Sequence, residues 1–340
     1  MFDEQSFALL KDSQGKLIYG KGPFTRSPEP LDEGISFYLN DFALTSDTPW
    51  LIPSEFEYLD SNKLSNLTPS NVKGFEWSNP SVELFTEQFH KIEESMRFNG
   101  LLKTVPVTVS SSKLDDLDLI FPEIVKRGIN TAGPSHFYAY RESKLGFAGL
   151  SPEILFEINN NKLRTMALAG TAHENNFDDF LNDKKEHIEH QIVVESLRRR
   201  LSEFGPILES QRKTINLGGI IHFLTEFEVE LTNVNSISYI LKQIHPTPAI
   251  GTVPRNENTL KSLSHFRNQA NSPPMFAAPF GVKVNDNFIS YIMIRGLFFE
   301  DDTISLPSGC GITENSVLNS EWDELALKRQ WVKDTFGLNL

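Results

Sequence analysis

The sequence predicts one domain that contains both helices and strands, and three observations lead to this prediction. The 340 residues are 39% hydrophobic and 23% charged and include 26 phenylalanines, which suits a compact protein with a sizeable core. Short apolar runs bounded by turn residues predict strands along much of the chain. Helical spacing and capping residues predict helices over about 80–99, 183–204 and 320–328.

The N-terminal part of the chain predicts a hairpin followed by a helix. Residues 2–24 contain two apolar runs on either side of a turn, which is typical of a β-hairpin. Residues 27–80 predict short strands or loops and carry no recognisable chemistry. Pro80 suits the first turn of a helix with one apolar stripe, and Asn99-Gly100 suits its end.

The middle of the chain predicts successive strands. Four apolar runs joined by short turns predict a meander, with strands over 136–141, 146–150, 154–158 and 163–168. Residues 215–231 are also rich in strand-forming residues.

Two pairs of carboxylates stand three residues apart on predicted helices. Glu186 and Glu189 share one helix face, and Glu321 and Glu324 repeat the arrangement after Ser320, a suitable N-cap. Such pairs repel unless a cation lies over them, and Mg²⁺ prefers oxygen ligands of this kind. Each pair alone could be a solvated acidic turn. Together, the two helices could clamp one Mg²⁺ between them.

Two other charged residues have two interpretations each. Lys103 lies in an apolar run, so it is either a strand lysine whose ammonium reaches water or a desolvated base. Glu153 is either a turn carboxylate or, if buried, an acid that is protonated near neutral pH. Lys328, one turn beyond Glu324, could pair with an anionic substrate. Pro106 predicts that the strand of Lys103 lies at an edge or carries a bulge.

Two stretches of the sequence carry a family resemblance. Residues 185–190 and 321–328 resemble the KE-x-x-EH and EW-x-E-x-x-x-K signatures of the chorismate-utilising enzymes, which include the isochorismate, salicylate, anthranilate and aminodeoxychorismate synthases. The resemblance runs from about residue 100 to 328, with its motifs in the family's order. It implies an α+β fold in which antiparallel sheets pack face to face, with helices outside, and enclose a Mg²⁺ site.

The resemblance implies catalytic roles for Lys103 and Glu153. Isochorismate and salicylate synthases carry a lysine general base where Lys103 stands, whereas amine-forming relatives commonly have glutamine. Residues 146–153 are similar to the family's G-x-SPE segment, whose glutamate is the general acid that protonates a departing oxygen. Ala169 stands where aminodeoxychorismate synthases place a nucleophilic lysine, so that covalent route is closed to this chain.

The remaining motifs imply a metal site and a substrate site. Mg²⁺ is expected on Glu186, Glu189, Glu321 and Glu324. The implied substrate-binding residues are Ala169, Gly170, Thr171, His245, Arg295, Gly309, Gly311 and Lys328. Of the two histidines in family-like segments, His222 is expected to be lining or structural, and His245 to lie near the ring and its leaving oxygen.

The family's Y-A-G pattern is changed at Phe276 and Ala278, so a phenolic hydroxyl is missing. If that hydroxyl helps to hold a substrate carboxylate in relatives, this chain must depend more on Arg295 and Lys328. Cys310, the only cysteine, lies in a glycine-rich loop without the neighbours of a nucleophile.

We therefore expect a Mg²⁺-dependent isochorismate synthase in which Lys103 activates water to attack C2 of chorismate and Glu153 protonates the leaving C4 hydroxyl. The near alternative is a salicylate synthase, which then eliminates pyruvate. Less favoured are an anthranilate or aminodeoxychorismate synthase component and a non-catalytic scaffold. The product could serve menaquinone or siderophore synthesis, and the sequence leaves this open.

The expected organisation and partners follow from the same features. One chorismate-binding domain is expected over 1–340, with a less typical N-terminal part over 1–80 and the catalytic core over 81–335. The net charge of −13 argues against nucleic acid or an anionic membrane as a partner. The single cysteine and the lack of a signal or spanning segment favour a cytoplasmic protein. A monomer without a glutaminase partner is expected.

Overall fold

The computed structural model describes residues 6–59, 74–233 and 236–338, which form twenty strands and seven α-helices. The strands are β1 (Ser6–Lys11), β2 (Leu17–Lys21), β3 (Thr25–Ser27), β4 (Ile35–Leu39), β5 (Trp50–Ile52), β6 (Glu55–Leu59), β7 (Lys103–Thr104), β8 (Val107–Lys113), β9 (His136–Glu142), β10 (Leu145–Ser151), β11 (Ile154–Asn159), β12 (Lys162–His173), β13 (Ile207–Glu209), β14 (Lys213–Asn216), β15 (Ile220–Glu230), β16 (Thr252–Val253), β17 (Pro279–Val284), β18 (Asn287–Ile292), β19 (Gly296–Glu300) and β20 (Thr303–Gly309). The helices are α1 (Val82–Asn99), α2 (Leu117–Asn130), α3 (Phe177–Asn182), α4 (Lys184–Leu201), α5 (Ile237–Ile244), α6 (Glu257–Gln269) and α7 (Leu318–Phe336).

Two large antiparallel sheets form the body of the protein. The first has eight strands in the order β6-β2-β1-β9-β10-β19-β20-β8. The second has ten strands, nine of them in the order β13-β15-β12-β11-β18-β17-β4-β5-β3, and β14 also pairs with β15. A small third sheet pairs β16 with β7. The predicted N-terminal hairpin is confirmed as β1 and β2, which pair antiparallel.

The inner faces of the two large sheets pack against each other. Tyr138 and Phe147 of the first sheet contact Phe280 of the second, with ring centroids 6.5 and 5.2 Å apart. Because side chains alternate along a strand, Leu10 of β1 joins this inner core, whereas Phe7 joins a second core on the other face. Helices α2 and α7 cover that second core. The α+β fold with sheets face to face and helices outside is therefore confirmed.

The four predicted middle strands exist, but the prediction of a meander was wrong. Strands β9 and β10 pair in the first sheet, and β11 and β12 pair in the second. The chain passes from one sheet to the other at Pro152 and Glu153, where proline offers no N–H to a sheet ladder. The hydroxyl of Ser151 accepts a hydrogen bond from the backbone N–H of Glu153 at 3.2 Å and closes this turn. Glu153 is thereby placed between the two sheets.

The predicted strand around Lys103 is interrupted at Val105-Pro106. Lys103 and Thr104 pair with β16, and β8 starts only at Val107 and pairs with β20. Since Pro106 cannot donate to a ladder, it separates the two strands. Because of this interruption, Lys103 pairs with β16, whereas the residues from Val107 onwards pair with β20.

The three predicted helices exist, but several of their ends differ from the predictions, since α4 ends at Leu201 and α7 continues to Phe336, well past residue 328. Helix α1 is capped by Ser81, so Pro80 precedes the cap, and Gly100 ends the helix in the left-handed region at φ 69°. Helix α7 begins at Leu318, so the predicted cap at Ser320 was wrong. Val317 is the N-cap there and makes no side-chain hydrogen bond. Within the described ranges, no helix has the length and apolar character needed to cross a membrane.

Candidate active site

A cavity opens between the two large sheets and the helices α4 and α7. The empty space within it is about 790 Å³, a figure that includes open solvent at the mouth. Its lining includes Val105, Glu153, Ala169, Thr171, Glu189, His222, Arg267, Phe276, Arg295, Gly309, Gly311 and Lys328. Most of the residues that the motifs singled out therefore meet at one place.

Glu153 lies at the wall of this cavity and is only 2% exposed. Burial raises the pKa of its carboxyl to about 7, although the Thr247 hydroxyl and the ammonium groups of Lys103 and Lys328 oppose the shift. Thr247 donates a hydrogen bond to Oε1 at 3.1 Å. The carboxyl is thus held in place and can carry a proton near neutral pH.

Lys103 lies directly behind the cavity lining and is fully buried. Its Nζ donates to the backbone oxygen of Pro248 at 3.0 Å and lies 3.2 Å from Oε1 of Glu189. Gly311 allows this arrangement, because a Cβ there would lie 2.6 Å from Cε of Lys103 and 2.2 Å from Oε1 of Glu189. A larger residue at position 311 would push the lysine and the glutamate out of place.

Arg295 supplies positive charge on the other side of the cavity. Burial lowers the pKa of its guanidinium to about 10, so the group remains charged at neutral pH. Its Nη2 lies 3.3 Å from Nε2 of His222, and Nδ1 of that ring lies 2.8 Å from the oxygen of Gly170. Burial, then the charge of Arg295, lowers the pKa of His222 to about 3, which keeps the ring neutral. The histidine therefore orients the arginine, in line with the lining or structural role expected for it.

Lys328 adds a second cation from helix α7. Its Nζ donates to the backbone oxygen of Gly309 at 2.9 Å and lies 2.6 Å from Oε1 of Glu324. This ammonium group is tied to the glycine-rich loop that also lines the cavity. Arg295 and Lys328 can thus meet an anionic ligand in a protein of net charge −13.

Three of the four predicted metal ligands converge, and a lysine ammonium group lies among them. Nζ of Lys185 is 2.9 Å from Glu186, 3.2 Å from Glu189 and 3.0 Å from Glu321. Glu324 is engaged instead by Lys328. In the three described stretches of chain, no group of three or more carboxylates, imidazoles or thiolates is arranged to hold a metal ion.

The charges in this cluster, formed by Glu186, Glu189, Glu321 and Lys185, perturb one another. Burial, reinforced by neighbouring carboxylates, raises the pKa values of Glu186 and Glu321. Burial alone would also raise the pKa of Glu189, but the ammonium groups of Lys103 and Lys185 reverse the effect and lower it. The same carboxylates overcome the burial of Lys185 and raise the pKa of its ammonium group.

The donor chemistry of this cluster fits a hard divalent cation. Carboxylate oxygens from two facing helices are the ligands that Mg²⁺ prefers. Oε2 of Glu321 is buried and has no hydrogen-bond partner within 3.5 Å, as expected of an oxygen that awaits a cation. The backbone N–H of Thr171 donates to Oε2 of Glu186 at 2.7 Å and orients that carboxylate. The residues fit the ion, provided that Lys185 moves.

His245 is buried and is not among the residues that line the cavity. Its Nε2 lies 2.8 Å from the oxygen of Phe42, and its ring packs edge-on against that phenyl ring 5.2 Å away. That His245 lies near the substrate ring therefore stays a prediction. The segment acts through its following residues, because Thr247 bonds Glu153 and Pro248 bonds Lys103.

Two residues near the site were missed by the sequence reasoning. Arg267 of α6 lines the cavity, donates to the oxygen of Phe276 at 2.7 Å and stacks on Phe42. No motif surrounds Arg267, so the sequence contained no signal for it. Lys185 did have a signal, since it lies one and four residues before two acidic ligands.

The family relationship was tested by three comparisons with known proteins. A family described as "Chorismate binding enzyme" matches residues 50–337. Isochorismate synthase MenF of Bacillus subtilis (strain 168) is 29% identical over 223 residues, which cover 60% of this chain and 45% of that protein. The salicylate biosynthesis isochorismate synthase of Pseudomonas aeruginosa is 29% identical over 217 residues, covering 60% and 44%. The match thus spans a little under half the length of these relatives.

Solved structures share the whole fold. DhbC of Bacillus anthracis has a TM-score of 0.82 at 18% identity, covering 98% of this chain and 97% of its own. MenF, the menaquinone-specific isochorismate synthase of Escherichia coli, has a TM-score of 0.80 at 16% identity, covering 98% and 89%. Because the family match extends over most of the sequence, the chain belongs to the chorismate binding enzyme family.

Proposed function

We propose that the protein is a Mg²⁺-dependent isochorismate synthase, which converts chorismate to its isomer isochorismate. In this reaction, a water oxygen bonds to C2 of the ring, the C4–O bond breaks, and the ring double bonds shift. One observation carries the proposal: a buried amine, Lys103, and a buried carboxyl of raised pKa, Glu153, lie beside one cavity that also contains fixed cations.

Lys103 is the general base in this proposal. The hydrogen bond to Pro248 and the ion pair with Glu189 hold its Nζ at one position. In its neutral form, the amine takes one proton from the attacking water, so that the oxygen can bond to C2. A lysine here, where amine-forming relatives commonly have glutamine, supports water as the nucleophile.

Glu153 is the general acid. The leaving hydroxyl must receive a proton so that it departs as water, and hydroxide is a poor leaving group. A carboxyl whose pKa is about 7 keeps a large protonated fraction at neutral pH. Since Thr247 donates to Oε1, the proton can reside on Oε2 and be transferred to the C4 oxygen.

Substrate binding depends on the cations of the cavity. Chorismate carries two carboxylates, and the planar guanidinium of Arg295 suits bidentate binding of one of them. Lys328 and the backbone of the 309–311 loop support an anion near helix α7. The neutral ring of His222 orients Arg295 without neutralising it.

Glu186, Glu189 and Glu321 would hold Mg²⁺, with Glu324 bound directly or through water. When bound, the ion supplies positive charge that anchors the ring carboxylate of the substrate. Oε2 of Glu321, buried without a hydrogen-bond partner, supports this assignment.

A salicylate synthase remains the near alternative, because the same residues would serve it and pyruvate would then be eliminated. The name of the Pseudomonas aeruginosa relative joins salicylate biosynthesis with isochorismate synthase activity. An amine-forming enzyme is disfavoured by Lys103 and by Ala169, which offers no nucleophile.

The test is to incubate the purified protein with chorismate and Mg²⁺ and to resolve the products, with and without a high ammonium concentration. We expect isochorismate under both conditions. Salicylate together with pyruvate would select the near alternative. Anthranilate or aminodeoxychorismate without isochorismate or salicylate would overturn the proposal, and no consumption of chorismate would indicate a non-catalytic scaffold.

A further inference from the structure

The ammonium group of Lys185 lies at the centre of the three carboxylates proposed to hold Mg²⁺. Its three Nζ to oxygen distances lie between 2.9 and 3.2 Å, and each oxygen belongs to a different glutamate. Glu186 and Glu189 come from α4, and Glu321 comes from α7. The lysine therefore links the two helices through charge.

Lys185 and Mg²⁺ would compete for these three carboxylates. Mg²⁺ binds oxygen at about 2.0–2.1 Å, so an ion held by all three carboxylates would lie close to the ammonium group that they surround. Two positive centres at such short range repel strongly in a buried site. Binding of the ion therefore requires that the ammonium group leave.

A route for this movement is present. The Lys185 side chain is 15% exposed, more than the 10% of Glu186 or the 2% of Glu321. It borders an outer groove that is lined by Asn176, Asp183, Asn315, Ser320 and Asp323 and is open to solvent. The groove carries acidic side chains that can receive a displaced ammonium group. A rotation of this flexible side chain can therefore carry the ammonium group towards the groove.

We propose that Lys185 is an internal counter-ion that holds the three carboxylates together without metal and is displaced into the outer groove when Mg²⁺ binds. The inference rests on the Mg²⁺ site of the proposed function. Lys185 is a positioning residue in this account. It keeps the site assembled, and by competing with the ion it weakens Mg²⁺ binding.

The first experiment uses the unaltered protein, so it does not depend on whether a variant folds. Lysines are reductively methylated with and without Mg²⁺, in the absence of chorismate, and the rate at each lysine is read by mass spectrometry. We expect Lys185 to be protected without Mg²⁺ and to approach the rate of exposed Lys184 with it. Mg²⁺ binding that leaves Lys185 protected would overturn the inference.

The second experiment measures Mg²⁺ affinity by calorimetry for K185Q and for K184Q, which removes the same charge one residue away. K185Q should bind Mg²⁺ about tenfold more tightly than the unaltered protein. The control K184Q should have the same Mg²⁺ affinity as the unaltered protein. Without Mg²⁺, K185Q should also unfold at a lower temperature than the unaltered protein. Addition of Mg²⁺ should raise the unfolding temperature of K185Q by more than that of the unaltered protein. An unchanged or weaker affinity in K185Q would contradict the competition.

The two proposals fail in different ways. If Mg²⁺ binds normally but Lys185 neither becomes reactive nor affects affinity, only the counter-ion inference is lost. If neither the unaltered protein nor K185Q binds Mg²⁺, the metal site of the proposed function is lost, and the inference is lost with it.

Discussion

The two sides of the cavity are built in different ways. On the reaction side, Glu153 has a hydrogen bond from Thr247, and Lys103 has one to the oxygen of Pro248. Both partners belong to the loop that follows α5, so one backbone segment positions the acid and the base. On the metal side, three carboxylates from two helices surround the ammonium group of Lys185, and one of them, Glu189, also pairs with Lys103.

The two sides therefore differ in whether a side chain has to move before a ligand binds. On the reaction side, Glu153 and Lys103 keep hydrogen bonds to the Thr247 hydroxyl and the Pro248 carbonyl, and we expect neither side chain to leave its place before the substrate binds. On the metal side, three carboxylates meet the ammonium group of one lysine, and the proposed Mg²⁺ can bind them only after that side chain moves. The predictions below test this contrast, from the largest expected effect to the smallest.

Replacing Lys103 by glutamine should reduce activity the most. The amide cannot accept a proton from water, and loss of a general base commonly costs on the order of a hundredfold to ten-thousandfold in rate. The measurement is kcat for isochorismate formation, with chorismate binding followed separately. Lys113→Gln, an exposed lysine at the end of β8, is the matched control. If Lys103→Gln had a near-normal kcat, Lys103 would not be the general base.

Glu153→Gln should lower kcat by about a hundredfold or more, because the amide retains the shape of the side chain but cannot supply the proton. In the unaltered protein, the acid form is lost as pH rises through about 7, so activity should fall on the alkaline side. This alkaline limb should be absent from the residual activity of Glu153→Gln. Glu157→Gln, on the adjoining strand, should keep the normal profile. If the activity of Glu153→Gln fell at alkaline pH as in the unaltered protein, another residue would be the general acid.

Glu321→Ala should weaken Mg²⁺ binding by about tenfold or more, since it removes a ligand and leaves Lys185 with two carboxylates. Raising the Mg²⁺ concentration should restore part of the activity, which no increase should do for Lys103→Gln. The readout is activity at limiting and saturating Mg²⁺, with Glu314→Ala as an exposed control. If both Glu321→Ala and Glu189→Ala kept full activity at limiting Mg²⁺, the two-helix clamp would be wrong.

Arg295→Lys should have the smallest effect, a rise in KM of about tenfold, because lysine keeps the charge but loses the planar fork. Steady-state kinetics with chorismate measures this change. Arg164→Lys, which alters an exposed arginine on β12, should be silent. Unchanged KM and kcat in Arg295→Lys would place the anion site elsewhere.

The sequence predicted the elements better than their connections. The apolar runs joined by short turns identified β9 to β12. They could not show that the chain changes sheets at Glu153, since a turn within one sheet and a crossing between sheets use similar residues. The i, i+3 spacing brought the carboxylates of α4 and α7 to facing helix surfaces, as the structure shows. It could not show which cation they would meet, because that depends on the rotamer of Lys185.

Two outcomes at the site show a further limit of reasoning from sequence. The motif around His245 marks the right segment, but the working contacts come from Thr247 and the carbonyl of Pro248. A backbone oxygen has no sequence signature, so Pro248 could not be identified beforehand. Arg267 reaches the cavity from a helix without any motif, and only the packing of α6 reveals it.

The most direct test of the central claim is the origin of the new oxygen. Chorismate and Mg²⁺ are incubated with the protein in water enriched in oxygen-18, and the product is examined by mass spectrometry. If Lys103 directs water to C2 while Glu153 releases the C4 hydroxyl, isochorismate should carry one heavy oxygen on its ring. Isochorismate without heavy oxygen would mean that the original hydroxyl is retained, and this would contradict the proposed mechanism.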